Sequence, residues 1–179
     1  MVRAFLAIEL SEEIRERLKG VQDVLRTSSA RMTFVAPENI HITVKFLGEV
    51  DTALLPRVMD AIRGVSVAPF PVRARRVTVN DPKRPFTVWS TISDGGMCQE
   101  LFCRVEDALV PLNFHREKRR FLPHATLARI KQPDPSLSGV LARLDTEDYG
   151  ECRISGITLK KSTLTPQGPV YEDLLVVPW

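Results

Sequence analysis

Two stretches of the chain repeat one pattern. His41-Ile42-Thr43-Val44 and His124-Ala125-Thr126-Leu127 both read H-x-T-x, and they account for two of the three histidines. In an extended strand, residues i and i+2 project from the same face. Each stretch would then present an imidazole and a hydroxyl side by side, with the intervening apolar residues turned the other way. An imidazole has an unperturbed pKa of about 6.5, so one ring can be neutral and accept a proton while another is charged and donates one. Attack at phosphorus needs a base on the incoming oxygen and an acid on the leaving oxygen, roughly in line. Two histidines on opposite sides of a phosphate meet that need without metal, and threonine hydroxyls can hold the non-bridging oxygens. A lone histidine among apolar residues is more often a buried structural group. Duplication favours catalysis, because a structural account would have to hold twice.

Charge on the phosphoryl oxygens also needs a partner. Arg129 stands five residues past His124. Its guanidinium forks to match phosphate. Odd spacing along a regular strand puts it on the opposite face from His124, so a bulge or strand end must bring it in. Arg116, Lys118, Arg119 and Arg120 form one basic group, and Arg73, Arg75 and Arg76 another. Such runs are usually solvated faces; the alternative is a rim that attracts an RNA backbone. Phe34, Phe46 and Phe121 lie near the motifs and either stack a base or belong to the core. His115 has no threonine two places on and is left out of the chemistry. There is no G-x-x-x-x-G-K-[ST], C-x-x-C, H-E-x-x-H or G-x-S-x-G. A P-loop, a zinc site and a serine-hydrolase elbow are therefore not expected. Asp and Glu are few near the two histidines, which argues against a two-metal phosphoesterase.

The motifs sit in alternating strands and helices. Val2 to Ile8 reads as a strand; Ser11 can cap a helix whose face is Ile14, Leu18, Val21 and Leu25. His41 to Leu47 reads as a strand ended by Gly48, and Leu55, Val58, Met59 and Ile62 mark the next helix. Pro71 to Val79 and Phe86 to Ile92 read as strands around an Asn80-Asp81-Pro82 turn. In the second half, Leu101, Phe102, Val105 and Leu109 mark a helix, Pro123 to Ile130 a strand, and Leu137, Val140, Leu141 and Leu144 another helix after Asp134-Pro135. Ile154 to Leu164 and Val170 to Val177 close the chain as strands. The expected fold is α+β: one domain over residues 1–179, built as two pseudo-symmetric lobes that each give one motif strand to a shared cleft.

Composition is ordinary for a globular protein, with 44% hydrophobic and 26% charged residues. A net charge of +3 suits an anionic substrate without requiring one. Three cysteines with no zinc-type spacing point to reduced thiols and a cytoplasmic setting. No secretory signal or membrane-spanning run is expected.

At these residues the chain resembles the two-histidine (2H) phosphoesterase superfamily, and within it the RNA 2′,3′-cyclic phosphodiesterase family, historically called 2′-5′ RNA ligase. The resemblance is carried by Arg3-Ala4-Phe5-Leu6-Ala7-Ile8, by Pro37-Glu38-Asn39-Ile40-His41-Ile42-Thr43-Val44-Lys45-Phe46-Leu47-Gly48-Glu49, by Phe121-Leu122-Pro123-His124-Ala125-Thr126-Leu127-Ala128-Arg129, and by Tyr171-Glu172-Asp173-Leu174. Where the family often has tryptophan shortly before Pro-Glu-Asn, this chain has Phe34. The resemblance implies a bilobal fold whose antiparallel sheets line a central cleft, with helices outside. It implies hydrolysis of RNA 2′,3′-cyclic phosphate ends to 2′-phosphates, with His41 as proton donor, His124 as proton acceptor, and Thr43, Thr126 and Arg129 binding the phosphate. It implies no cofactor, metal or ATP, a monomer, and an RNA partner such as tRNA fragments. Three rivals stand beside it: ATP-independent 2′-5′ joining of RNA ends as the main task, action on another small cyclic phosphate, such as one derived from ADP-ribose, and a non-catalytic RNA-binding module.

Overall fold

A computed structural model describes residues 1–145 and 148–179. Among the described residues, four α-helices and nine strands follow one another in the order β1 (Val2–Glu9), α1 (Glu12–Leu25), β2 (Arg31–Phe34), β3 (His41–Val50), α2 (Leu55–Arg63), β4 (Phe70–Val79), β5 (Thr87–Ser93), α3 (Met97–Leu109), β6 (His124–Gln132), α4 (Ser136–Leu144), β7 (Gly150–Ile154), β8 (Gly156–Thr165) and β9 (Gly168–Pro178). The Ser11 side chain accepts the Ile14 N–H at 3.3 Å, as a helix start requires, and Ile14, Leu18, Val21 and Leu25 are buried. Among the described residues, no helix is long and apolar enough to cross a membrane.

All strand pairings are antiparallel. One lobe runs β9-β8-β1-β3 and the other β6-β5-β4-β7. They meet where β3 joins β6 through a single pair, Ile42 with Ala125. The rest of that edge of β6, from Ala128 to Gln132, is taken by β2. The two lobes therefore touch along one short seam and diverge beyond it. Helices α1 and α4 pack on the β4, β6 and β7 side, and α2 and α3 on the β3 and β9 side. The core between helices and sheet is apolar and fully enclosed at Leu6, Ile8, Ile14, Leu18, Ile42 and Leu127.

Each motif strand carries a bulge at the last position of H-x-T-x. On β3, Leu6 faces Lys45 and Ala7 faces Thr43, which leaves Val44 as the extra residue. On β6, Val88 faces Ala128 and Trp89 faces Thr126, which leaves Leu127. A bulge reverses the in–out alternation. Leu127 and Ala128 are consequently both buried, and Arg129 returns to the exposed face. Lys45 is turned under the sheet, where its ammonium pairs with Glu106 of α3 at 2.5 Å. The Leu127 carbonyl at the second bulge accepts the Val35 N–H and the Gln22 side-chain amide, each at 2.9 Å. Gln22 also donates to the Val35 carbonyl at 2.7 Å.

The observed elements depart from the sequence reading in a few places. β2 and β7 are too short and too polar to announce themselves. Ile154 to Leu164 is two strands rather than one. The chain turns at Ser155, so that Ile154 pairs with Phe70 and Gly156 with Pro178. A Cβ on Gly156 would stand 2.9 Å from the Val177 carbonyl oxygen, which reserves that position for glycine. β3 does not end at Gly48 but passes through it, at φ +71°, to Val50.

Gln22 is 2% exposed and donates to two carbonyls, the buried one of Leu127 and the part-buried one of Val35. Gln22→Leu keeps the bulk and removes the donor. Its unfolding free energy, measured by urea denaturation, should fall by about 1–3 kcal/mol.

Candidate functional site

The seam between the lobes is also where the motifs meet. With Ile42 opposite Ala125, the antiparallel register continues to set His41 across from Thr126 and Thr43 across from His124. The four side chains form a quartet with a local twofold relation, on the face opposite the helices. The rings lie near enough for the charge of His124 to act on His41.

The two imidazoles are held by the same device. His41 Nδ1 lies 2.7 Å from the Asn39 carbonyl, and His124 Nδ1 lies 2.7 Å from the Leu122 carbonyl. A carbonyl only accepts, so each Nδ1 carries a proton and donates it. Each Nε2 is then the nitrogen free to exchange a proton. That of His41 lies 3.0 Å from Thr43 Oγ1. The carbonyl of Asn39 is presented by the tight turn Pro37–Asn39, which ends as β3 begins. The His41 ring stacks on Phe5 at 5.1 Å between centroids and meets the edge of Tyr171 at 5.7 Å. The His124 ring packs against Trp89 at 4.2 Å.

Burial lowers the pKa of both histidines, because it penalises the charged ring. The hydrogen bonds to Asn39 and Leu122 oppose the shift. His41 alone has a carboxylate acting on it, that of Glu9, the residue beside it across the β1–β3 pair. Glu9 is in turn tied to Lys160 at 2.8 Å, and Lys160 to Asp173 at 2.6 Å. The Glu9 carboxylate favours the charged form of His41, while Lys160 and the His124 ring oppose it and burial outweighs it. The environment thus distinguishes the two otherwise matched imidazoles.

A cleft of about 720 Å³ opens over three of these four side chains. His41, Thr43, Thr126 and Arg129 line it, together with Arg3, Phe34 and Phe46. His124 is not on that lining, but stands half-exposed beside it. Arg129 and Arg3 have no ion-pair partner among the described residues, which leaves both guanidiniums available to an anion. Phe46 is 69% exposed, a large apolar ring offered to the cleft. Phe34 also reaches the cleft, but the Arg26 guanidinium covers it at 3.9 Å. Phe121 does not line the cleft. Its ring stacks on Phe102 of α3 at 4.8 Å and is spent on packing. Among the described residues, no group of three or more His, Cys, Asp or Glu side chains is placed to hold a metal ion.

Several residues of the site lie beyond sequence reasoning. The carbonyls of Asn39 and Leu122 act through the backbone and leave no residue-type signal. Tyr171 is legible only as part of a familiar ending. Trp89 sits on a strand that the sequence does announce, but only the sheet order puts it against His124.

The lowered pKa values have a definite consequence for stability. An unfolded chain that binds protons more tightly gains on the folded one as pH falls. The stability held by these neutral rings is therefore complete above about pH 6.5 and is lost as pH drops through the folded values. NMR titration should place both ring midpoints below 6.5. The fall in unfolding free energy between about pH 7 and pH 5 should be smaller in His41→Asn/His124→Asn than in the unsubstituted chain.

Comparison with known proteins gives the family. The model of the LigT-like phosphoesterase family matches residues 8–89 and 97–171. A protein of Methanothermobacter thermautotrophicus named RNA 2′,3′-cyclic phosphodiesterase is 35% identical over 98% of this chain and 97% of its own length. One of the same name from Archaeoglobus fulgidus is 34% identical over 98% of this chain and 99% of its own. Among solved structures, a Thermus thermophilus protein superimposes with a TM-score of 0.81 at 29% identity, covering 98% of this chain and 97% of its own. Escherichia coli LigT complexed with 3′-AMP gives 0.81 at 20% identity, covering 99% and 97%, and so shares the fold. The matches extend over nearly the whole chain and over both motifs, and the chain belongs to the LigT-like phosphoesterase family.

Proposed function

We propose that this protein hydrolyses the 2′,3′-cyclic phosphate at the 3′ end of RNA to a 2′-phosphomonoester, by general acid–base catalysis between two histidines. One observation carries the reading. Two Nε2 atoms, each freed by an Nδ1–H held on a backbone carbonyl, flank one seam under a cleft that holds an unpaired Arg129. The relatives named for this activity match the chain from end to end.

In the proposed step, neutral His124 takes a proton from water through Nε2, and the water oxygen attacks phosphorus. The bond from phosphorus to the 3′ oxygen breaks, and protonated His41 delivers its Nε2 proton to that oxygen. The assignment is the one that the family resemblance implies; the Glu9 carboxylate favours charge on His41, against burial, Lys160 and the His124 ring. Thr43 and Thr126 hydroxyls donate to the non-bridging oxygens, and Arg129 forks onto the charge that accumulates there. Phe46 offers its face to the terminal base. With a 5′-hydroxyl RNA end in the place of water, the same site would join ends through a 2′-5′ bond. Three free thiols suit a reducing, cytoplasmic setting.

A short RNA with a cyclic end, incubated with and without a chelator, tests the reading. Turnover should be the same in both, and phosphorus NMR should find the product phosphate on the 2′ oxygen. His41→Ala and His124→Ala should each lower kcat by about 10²–10⁴ with folding retained. Full activity in the double variant would sink the proposal.

The pH profile provides a separate measurement. The active form needs one ring charged and one neutral, and both free-enzyme pKa values are lowered. The maximum of kcat/KM should therefore lie on the acid side of about 6.5. The maximum of kcat should lie higher, because a bound phosphate anion stabilises the charged ring.

A further inference from the structure

The segment between α3 and β6 carries a basic group whose side chains the site does not use. Of its four cations, Arg116 is paired with Asp107. Lys118, Arg119 and Arg120 are exposed and have no ion-pair partner among the described residues. Among the described residues, the other basic group keeps one free cation, Arg75, since Arg73 is held by Asp148 and Glu151, and Arg76 by Asp145.

The free cations stand on a segment fixed at both ends. At its start, the buried pair of Lys45 and Glu106, with side chains 9% and 4% exposed, grips the backbone. Lys45 Nζ donates to the His115 carbonyl at 3.0 Å, and Glu106 Oε2 accepts the Glu117 N–H at 3.2 Å. The Glu117 carboxylate then accepts the N–H of Lys118 at 3.1 Å. At its end, Phe121 is stacked on Phe102, and the Leu122 carbonyl holds His124. Lys45 itself lies two residues past Thr43 on β3. The segment is thus locked to both motif strands. Taking two charges out of water is costly, so a buried ion pair spent on holding a surface segment calls for a purpose. From Arg120 to His124 the chain spans at most about 14 Å.

We propose that Lys118, Arg119 and Arg120 form a second RNA site, which binds the phosphodiester backbone a few nucleotides upstream of the cyclic end. The inference rests on the function proposed above and extends it. The enzyme would be selective for polynucleotide ends over mononucleotides, and would draw that selectivity from backbone charge rather than base identity.

The test compares Lys118→Ala/Arg119→Ala/Arg120→Ala with a control, Lys19→Ala/Arg57→Ala/Arg104→Ala, that removes three exposed charges from the helices. Two substrates are used: a decanucleotide with a 2′,3′-cyclic end, and adenosine 2′,3′-cyclic phosphate, which is too short to reach the arm. Binding of a fluorescent decanucleotide ending in a 2′-phosphate is measured against salt concentration. The arm variant should bind it about tenfold more weakly, with a log–log salt slope shallower by about 2, while turnover of the mononucleotide stays within about twofold. The control should retain the steeper slope. An unchanged slope in the arm variant, or an equal loss in the control, would overturn the proposal. The function beneath it fails differently, by absence of turnover of either substrate in the unsubstituted enzyme.

Discussion

The architecture depends on a seam one residue pair wide. Ile42 and Ala125 are fully buried and join the two lobes. Because side chains alternate, burying these two toward the helices leaves their neighbours on the other face. Those neighbours are His41, Thr43, His124 and Thr126. A longer seam would flatten the two lobes into a continuous sheet. Two limits prevent this: β2 occupies β6 from Ala128 to Gln132, and β6 begins only at His124, so β3 past Thr43 has no β6 residue to pair with. The seam is therefore short because β2 takes one end of that edge and β6 starts at the other.

The bulges refine what the seam creates. Without the extra residue at Leu127, Arg129 would point into the helix layer, where an unpaired guanidinium is costly. Without the one at Val44, Lys45 would occupy the cleft and Phe46 the core. The same irregularity at the same point of both motifs therefore gives the cleft one guanidinium and one aromatic ring. Gln22 contributes from the far side of the sheet, by satisfying the carbonyl that the second bulge exposes. A helix residue with no line of sight to the cleft thereby supports the orientation of Arg129.

Much of this is legible in the sequence, for identifiable reasons. Helix α1 can be read because cap and apolar spacing agree, and β6 because His124 to Ile130 is a long, mostly apolar run. The pairing of the two motifs follows from duplication alone. The requirement for a bulge before Arg129 also follows, since five is odd. What stays hidden is what depends on partners distant in the chain. β2 and β7 exist because β6 and β4 offer them edges, and their own residues say little. The break at Ser155 is dictated by the change of partner from β4 to β9. The fate of Phe121 illustrates the same limit. Its place beside the motif leaves cleft and core both open, and Phe102 from α3 decides for packing by claiming its ring.

A nearly twofold site poses a question of direction, since two identical halves could not tell attacking from leaving oxygen. The halves differ at two points. Five residues beyond the first histidine stands Phe46, and five beyond the second stands Arg129, each delivered by its bulge to the same face. In the proposed reaction, a nucleoside stacked on Phe46 would set the sugar on the His41 side, while Arg129 would gather phosphoryl charge on the other. The second difference is Glu9, whose carboxylate acts on His41 and has no counterpart at His124. Under the function proposed above, the stacked base would set His41 at the sugar oxygen as proton donor and leave His124 for water. Fold symmetry supplies the matched pair, and substitutions at equivalent positions break the tie between them.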